Sequence, residues 1–231
     1  MSRKIYWEDP YVREFDAKVT SLSVNRVSLD QSAFNPRGGG LVSDLGKIGE
    51  TDVIEVIKEN DEPVHLVERP ELLKVNEPVH CVLDWERRYR VMRMHTSAHI
   101  LCAIVNRETG ALITGNQISA DQSRIDFNLE AFDREKIDDY IRMANEAVKG
   151  AHEVKAYFMK REEALKVPGL VKLANAMPPS LDTLRIVQIG DVDTQADGGV
   201  HVANTKEIGE IIGKGTENKG KSNRRLYFTV A

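Results

Sequence analysis

Residues 84–99 of this 231-residue chain read DWERRYRVMRMHTSAH, and the pattern of the sequence changes along this stretch. Upstream of it, short alternating apolar runs predict β-strands separated by turns. Downstream, apolar residues recur at spacings of four, three and four, which predicts one face of an α-helix that ends before Gly110. These helical positions are Met94, Ala98, Leu101 and Val105. We therefore expect a domain boundary here, dividing residues 1–90 from residues 91–231.

The upstream runs, between residues 17 and 68, predict a small β-barrel. They comprise an alternation at Thr20, Leu22 and Val24 and two further runs at 53–57 and 64–67. Between them, residues 35–40 read NPRGGG. The proline and the three glycines, Gly38, Gly39 and Gly40, suit a loop that approaches another group closely or adopts positive φ.

The downstream part mixes predicted helices and strands. Clean alternation over residues 123–129 predicts a half-buried strand. A helical pattern then runs from Ile137 to Val148, with Asp133 as its cap and Gly150 at its end. Further elements are expected at 161–167, stopped by Pro168, and at 184–189, 200–202 and 226–230. Because no regular βαβ repeat occurs, an α+β fold is predicted.

Composition narrows the class of protein. The 32 basic and 36 acidic residues give a formal net charge of −4, so any contact with nucleic acid must use a local basic patch. The two cysteines are too few for a disulfide framework, and no signal peptide is evident. No apolar run approaches the roughly 20 residues that span a bilayer. A soluble, cytoplasmic protein without a membrane segment is therefore expected.

The first candidate site is the pair His95 and His99. One helical turn separates them, so their Cβ atoms are expected about 5–6 Å apart and both imidazoles can reach one metal ion. No glutamate follows His95, which excludes the His-Glu-x-x-His pattern of metalloproteases. Taken alone, such a pair in a helix is more often two core or partly exposed histidines than a metal site.

The second candidate site is QADGGVH at residues 195–201. Asp197 and His201 flank two glycines, which allow the chain to turn and aim both side chains at one point. An Asp-Gly surface turn with an incidental histidine is the alternative. The combination is more informative, because two ligands from a helix and a third from a distant loop are typical of a catalytic zinc site with an open position.

Three stretches carry a resemblance to a known family. They are residues 84–99, 198–209 and 217–225, and they are similar to the editing domain of alanyl-tRNA synthetases and to the freestanding AlaX proteins. The glycine loop, continued by SDLG at 43–46, is similar to the marker of the medium-length AlaX class, which carries a β-barrel before the editing domain. The threonyl-tRNA synthetase second domain is related.

The resemblance implies a tRNA-binding hydrolase with one Zn²⁺ per chain, bound by His95, His99 and His201. Its expected reaction is removal in trans of serine from Ser-tRNA(Ala), with glycine as an alternative amino acid. Its expected partner is the acceptor end of tRNA(Ala). Whether zinc activates water or positions the substrate stays open.

This sequence departs from the family pattern at three positions. Asp197 stands where the family usually has cysteine, Val200 where threonine is common, and Leu41 where glutamine is usual. A carboxylate is an accepted zinc ligand but a harder one than a thiolate. Asp197 is therefore expected to bind the metal directly, and the alternative is that it orients His201.

Two further groups of residues are candidates for substrate contacts. A pocket that accepts serine and rejects alanine needs a polar group for the serine hydroxyl, and Thr114, Asn116 and Gln117 are expected to supply it; a polar loop is the alternative. Basic residues without intervening acids near the C-terminus are expected to contact phosphates, with a solvated turn as the alternative. They are Lys219, Lys221, Arg224 and Arg225, with Arg87, Arg88 and Arg90 as a second group.

Three other functions compete with this interpretation. A degenerate editing domain would bind tRNA without hydrolysis, and a related hydrolase would act on another aminoacyl-tRNA. A structural zinc module is disfavoured, because the chain lacks four soft ligands in zinc-binding spacing.

Overall fold

A computed structural model describes residues 1–130, 134–167, 170 and 182–231. The chain divides into two compact units, Met1–Val91 and Met92–Ala231. Helices and strands are mixed along the chain, so the predicted α+β class is confirmed. The predicted cap Asp133 and the predicted stop Pro168 lie outside the described residues. No helix in the described ranges is long and apolar enough to cross a membrane.

The first unit consists mainly of strands. Its elements are β1 (Arg3–Lys4), α1 (Ile5–Glu8), β2 (Glu14–Ser23), β3 (Arg26–Leu29), β4 (Gln31–Ser32), β5 (Gly46–Ile48), β6 (Thr51–Glu59), β7 (Glu62–Val67), a 3-10 turn (Pro70–Leu72) and β8 (Pro78–Leu83). Strands β2, β3, β7, β6, β5 and β8 pair in that order to form a closed barrel, and β1 pairs with β4. Apolar side chains that include Val19, Val27, Phe34 and Ile48 fill its interior.

The predicted alternation is right at Leu22, which packs against the barrel core, but wrong at Thr20 and Val24, which are exposed. Buried side chains in β2 come from Phe15, Ala17 and Val19, and the register with β3 shifts just after Val19. This β-bulge moves the inward positions by one residue. Val24 lies in the turn after β2, with φ +56° and an exposed side chain.

The glycine loop is a tight turn held by a buried ion pair. Gly38 and Leu41 exchange two backbone hydrogen bonds of 3.1 and 2.9 Å, and Gly39 and Gly40 between them have φ of +57° and +89°, values that glycine adopts without strain. Beyond the turn, the carboxylate of Asp44 accepts 2.8 Å from Nε of Arg88, which is fully buried. A charge pair at this depth fixes the end of the loop.

The long helix α2 (Trp85–Thr109) begins in the first unit and continues into the second unit. Its other elements are β9 (Ile113–Gln117), β10 (Ser123–Phe127), α3 (Arg134–Lys149), β11 (Val154–Lys160), α4 (Arg161–Ala164), β12 (Thr183–Ile189), β13 (Asp193–Ala196), a 3-10 turn (Thr205–Ile208), β14 (Ile211–Asn218) and β15 (Arg224–Val230). They form two sheets, ordered β14-β15-β10-β9 and β11-β12-β13. Helix α2 ends before Gly110, as predicted, where φ of +72° permits a left-handed cap.

The barrel encloses a neutral histidine, His65 on β7. Its Nδ1 donates to the carbonyl of Val27 at 3.0 Å, and its Nε2 accepts from the hydroxyl of Ser32 at 2.8 Å. Burial lowers the pKa of His65 to about 4, although the bond to Val27 opposes the shift. His65 therefore stays neutral in the folded protein at pH values at which the unfolded chain, with a histidine pKa near 6.5, binds a proton.

We predict that lowering the pH destabilises the protein through His65. Its contribution is intact above pH 6.5 and falls as the pH drops toward 4, at about 1.4 kcal/mol per pH unit. Urea unfolding of wild type and His65→Gln at pH 7 and pH 5 tests this, and the stability difference between them should shrink by about 2 kcal/mol. His80→Gln is the control, because the hydrogen bond to Asp16 raises the pKa of this exposed histidine. Parallel curves for wild type and His65→Gln would contradict the prediction.

Candidate metal centre

Four predicted ligands meet in the second unit. His95 and His99 extend from α2, and Asp197 and His201 follow β13; one ligand atom from each lies within 4.8 Å of the others. Oδ2 of Asp197 lies 3.6 Å from Nε2 of His95 and 3.7 Å from Nε2 of His99. Its Oδ1 lies 3.3 Å from Nε2 of His201. All three imidazoles are buried, so the cluster is largely shielded from water.

Two imidazoles donate hydrogen bonds from the ring nitrogen that faces away from the cluster. Nδ1 of His95 donates to the carbonyl of Val200 at 3.3 Å, and Nδ1 of His99 donates to Oδ2 of Asp193 at 2.9 Å. A carbonyl or an ionised carboxylate can only accept, so the ring proton must be on Nδ1. In the neutral form that a metal ligand requires, each of these two rings therefore has its lone pair on Nε2, which faces the cluster.

Thr96 fixes the third imidazole by a less direct route. Its hydroxyl donates to the helix carbonyl of Met92 at 2.9 Å, so its oxygen is left as an acceptor. That oxygen accepts from the backbone N–H of Val202 at 3.3 Å and from Nδ1 of His201 at 3.2 Å. This contact allows the proton of neutral His201 to be on Nδ1, with Nε2 directed toward Oδ1 of Asp197 at 3.3 Å.

The backbone around Asp197 is fixed by hydrogen bonds from two sides. Oδ1 accepts from the N–H of Gly199 at 2.6 Å. The guanidinium of Arg185 donates to the carbonyls of Asp197 and Gly199 at 3.1 and 2.9 Å, and the N–H of Asp197 donates to the carbonyl of Arg185 at 3.0 Å. These bonds shape the DGG turn and direct the carboxylate toward the histidines.

Electrostatics in the cluster favour a positive charge. Burial lowers the pKa of His95 to about 4 and that of His201 well below its usual value. Burial also acts on His99, but its hydrogen bonds to Asp193 and Asp197 and their negative charges raise its pKa to about 9. The surrounding imidazoles outweigh burial and hold the pKa of Asp197 well below normal. The ionised carboxylates favour a positive charge among the imidazoles, and the cluster can hold a metal ion.

Sequence reasoning missed the residues behind the ligands. Asp193 and Gln195 alternate on β13 and so share one face of the strand, and Nε2 of Gln195 donates to Oδ2 of Asp193 at 2.7 Å. The only signal was two polar residues on the same side of a short strand. Thr96, within the His-x-x-x-His motif itself, gave no signal because its partner His201 is 105 positions away.

The three predicted pocket residues lie on strand β9 rather than in a loop. Asn116 is paired with the buried Ile125 of β10, whereas Gln117 is opposite Arg124 on the other face. Thr114 donates to Oδ1 of Asn223 at 2.9 Å. The buried Oδ1 of Asn116 has no hydrogen-bond donor among the described residues. No hydrogen bond within the described part of the chain joins these three residues to the metal cluster.

The predicted RNA-binding residues cluster at the β14–β15 hairpin, but several have partners. Nε and Nη2 of Arg225 donate to the carboxylate of Asp126 at 2.6 and 2.9 Å, and Arg225 is mostly buried. Lys219 pairs with Glu217 at 3.0 Å. Arg224 donates to backbone carbonyls, and Lys221 is exposed in the turn.

The second predicted basic group is divided by burial. The prediction for Arg88 is wrong, because its side chain is fully buried against Asp44. Arg87 and Arg90 are partly exposed. The helix thus separates neighbouring arginines into structural and accessible ones.

We predict that Thr96 sets the metal affinity of the cluster. Thr96→Val keeps the branched shape but removes the acceptor for Nδ1 of His201, so affinity for a divalent cation should fall by about 10- to 100-fold. Competition with a chromophoric chelator for Zn²⁺ measures this affinity. Ser97→Ala is the control, since Ser97 donates to the helix carbonyl of Arg93 at 2.8 Å. Wild-type affinity in Thr96→Val would show that the contact has no such role.

Comparison with known proteins gives a consistent result. A family model described as the threonyl and alanyl tRNA synthetase second additional domain matches residues 184–227. The alanyl-tRNA editing protein AlaX-M of Saccharolobus solfataricus is 46% identical over 236 residues, covering 100% of this chain and 99% of that protein. AlaX-M of Methanosarcina mazei is 41% identical, covering 100% and 97%.

A larger enzyme also matches. The alanine–tRNA ligase of Pyrococcus furiosus is 37% identical over 234 residues, covering 98% of this chain but 26% of the ligase. The resemblance predicted from the sequence is confirmed by similarity along the whole chain. This chain belongs to the AlaX-M family of alanyl-tRNA editing proteins.

Proposed function

We propose that this protein hydrolyses Ser-tRNA(Ala) in trans, using one Zn²⁺ bound by His95, His99, Asp197 and His201. The observation that carries the proposal is the convergence of three imidazole Nε2 atoms and one carboxylate, each imidazole oriented by a partner behind it. Membership of a family named for alanyl-tRNA editing supplies the substrate class. The hydrolytic site accordingly belongs to the second unit, which also contains the match to the synthetase domain.

The donor set suits zinc. Three neutral imidazoles and a carboxylate are all accepted ligands of this ion, and histidine with an orienting carboxylate is a common arrangement. Bound zinc would supply a Lewis acid for ester hydrolysis at neutral pH. In that reaction water adds to the ester carbonyl carbon, the bond to the ribose oxygen breaks, and this oxygen takes up a proton.

Asn116 supports serine as the preferred amino acid. Its Oδ1 is closed to solvent and lacks a donor among the described residues, so a serine hydroxyl would supply one once the amide rotates toward the substrate. Alanine and glycine have no hydroxyl and would leave this acceptor unpaired, which disfavours both. We therefore propose that Asn116 accepts a hydrogen bond from the serine hydroxyl, and that Thr114 and Gln117 line the pocket beside it.

The tRNA partner is proposed to be tRNA(Ala), held by its acceptor end. Lys221 is exposed at the tip of the β14–β15 hairpin, and Lys219 beside it is partly exposed. Both can approach phosphates, whereas the ion-paired Arg225 is proposed to stabilise the hairpin from beneath. Arg224 keeps the turn closed through its bonds to backbone carbonyls.

Deacylation tests the proposed function directly. Purified protein of measured zinc content should release serine from Ser-tRNA(Ala) and spare Ala-tRNA(Ala), and His95→Ala should lower release by at least about 100-fold. His80→Ala is the matched control, because this exposed histidine is in the barrel. Zinc without serine release would favour another aminoacyl-tRNA, and absence of zinc would favour a degenerate binding domain.

Asp197 can be tested as a direct ligand by substitution with the residue usual in the family. Asp197→Ala should lower zinc content, whereas Asp197→Cys should restore it, because a thiolate is a softer and stronger zinc ligand. Metal analysis after dialysis against a weak chelator measures the difference. If Asp197 only oriented His201, cysteine would not rescue binding, and equal zinc loss in the two variants would refute direct ligation.

The role of Asn116 predicts a change in selectivity rather than a general loss. Asn116→Leu keeps the approximate volume but removes the acceptor, so kcat/KM for Ser-tRNA(Ala) should fall by about 10- to 100-fold. The value for Gly-tRNA(Ala) should change much less. Thr20→Val, at an exposed position of β2 in the barrel, is the control. Equal losses on both substrates would mean that Asn116 does not read the hydroxyl.

A further inference from the structure

The metal cluster offers nitrogen and oxygen ligands but no sulfur. Its members are three imidazoles and the carboxylate of Asp197. Cys81 and Cys102 are both buried, and neither belongs to the cluster. Soft thiolates favour Zn²⁺ and Cu⁺, whereas carboxylates suit harder ions such as Mn²⁺, and imidazoles accept Fe²⁺ as well as Zn²⁺. The cluster therefore admits a wider group of divalent ions than a set with a thiolate would.

Asp197 directs both of its carboxylate oxygens toward the imidazoles. Oδ2 lies 3.6 Å from Nε2 of His95 and 3.7 Å from Nε2 of His99, whereas Oδ1 lies 3.3 Å from Nε2 of His201. Two atoms that bind one ion at about 2.0–2.3 Å lie roughly 2.8–3.7 Å apart in octahedral or tetrahedral coordination. Each oxygen is thus at a suitable distance from a different imidazole to share one ion with it.

The hydrogen bonds of the DGG turn leave both oxygens able to bind an ion. The backbone N–H of Gly199 donates to Oδ1 at 2.6 Å, which uses one of the two lone pairs of that oxygen. The guanidinium of Arg185 holds the backbone carbonyls of Asp197 and Gly199, so the carboxylate keeps its orientation. Three imidazole nitrogens and two carboxylate oxygens give the cluster five donor atoms.

The cluster is most open to water on the side of Asp197. The Asp197 side chain is 23% exposed, whereas the three histidine side chains are 9%, 8% and 4% exposed. A water molecule or a substrate oxygen can therefore approach an ion beside the carboxylate. Five protein donors and one such ligand make six, which exceeds the four of a tetrahedral zinc site and suits ions that prefer octahedral coordination.

We propose that Asp197 binds the ion through both oxygens, and that the site accepts Mn²⁺, Fe²⁺ and Co²⁺ in six-coordinate form in addition to Zn²⁺. The assignment of the four ligands rests on the proposed function. Zinc still binds more tightly than these three ions, as in most sites of this kind, so the ion that fills the site depends on metal supply as well as on affinity. A single thiolate at position 197 would supply one soft donor instead of two hard ones.

Cobalt reports the coordination of the site through its visible spectrum. Metal-free, full-length protein is titrated with Co²⁺, which absorbs weakly when six-coordinate and much more strongly when tetrahedral. Wild type should give the weak spectrum. Asp197→Cys should give the intense spectrum together with a sulfur-to-cobalt charge-transfer band, because its thiolate supplies one donor atom instead of two.

Relative affinity for Mn²⁺ and Zn²⁺ provides a second readout. Electron paramagnetic resonance of free Mn²⁺ and competition with a chromophoric chelator for Zn²⁺ give the two dissociation constants. Asp197→Cys should raise the ratio of the Mn²⁺ constant to the Zn²⁺ constant by at least about 100-fold. Zinc binding by this variant also shows that it is folded. Asp191→Asn, which removes a carboxylate that is 90% exposed, is the control and should leave both constants unchanged.

These measurements need neither RNA nor hydrolysis, so the two proposals fail separately. An intense tetrahedral cobalt spectrum in wild type, or an unchanged ratio in Asp197→Cys, would overturn the inference even if the protein releases serine. A weak cobalt spectrum and a raised ratio without serine release would contradict the proposed reaction alone. Absence of binding by any of these ions would contradict the metal site itself.

Discussion

The structure of the second unit depends on satisfying polar groups inside a buried helix. Almost all residues of α2 from Val91 to Val105 are buried, yet His95 and His99 lie among them. A buried polar group without a partner is costly. Thr96 and Ser97 solve this locally by bonding to carbonyls one turn back. Imidazoles cannot do so, and their partners must come from β13 and the loop after it.

This requirement links the helix to the placement of β13. The carboxylate of Asp193 and the carbonyl of Val200 serve as acceptors for the two histidines of α2. Because alternate residues of a strand share a face, shifting β13 by one residue would turn Asp193 away and leave His99 unpaired. The hydrogen bonds that fix the imidazole protons thus also fix the register of β13. The same bonds therefore determine both the geometry of the site and the pairing of the strand.

The sequence predicted the parts of this site that are local. Helical spacing placed His95 and His99 together, and the two glycines allowed Asp197 and His201 to converge. Asp193 and Thr96 were not predictable, because a tautomer depends on partners distant in sequence. In the barrel, the phase of β2 failed at a bulge after Val19, where an extra residue breaks a strict period of two.

A run of basic residues in a sequence does not show which of its side chains are buried, just as a strict strand period does not show a bulge. Arg87 and Arg88 are neighbours in a run that reads as one basic patch, but successive residues on a helix point about 100° apart. Arg88 consequently points inward to the buried carboxylate of Asp44, and Arg87 points along the wall of a cavity beside the glycine loop. One arginine neutralises a buried acid and secures the loop, whereas the adjacent one donates to the backbone carbonyl of Ser43. The capacity of a basic run to bind an anion therefore depends on which of its charges the fold has already used.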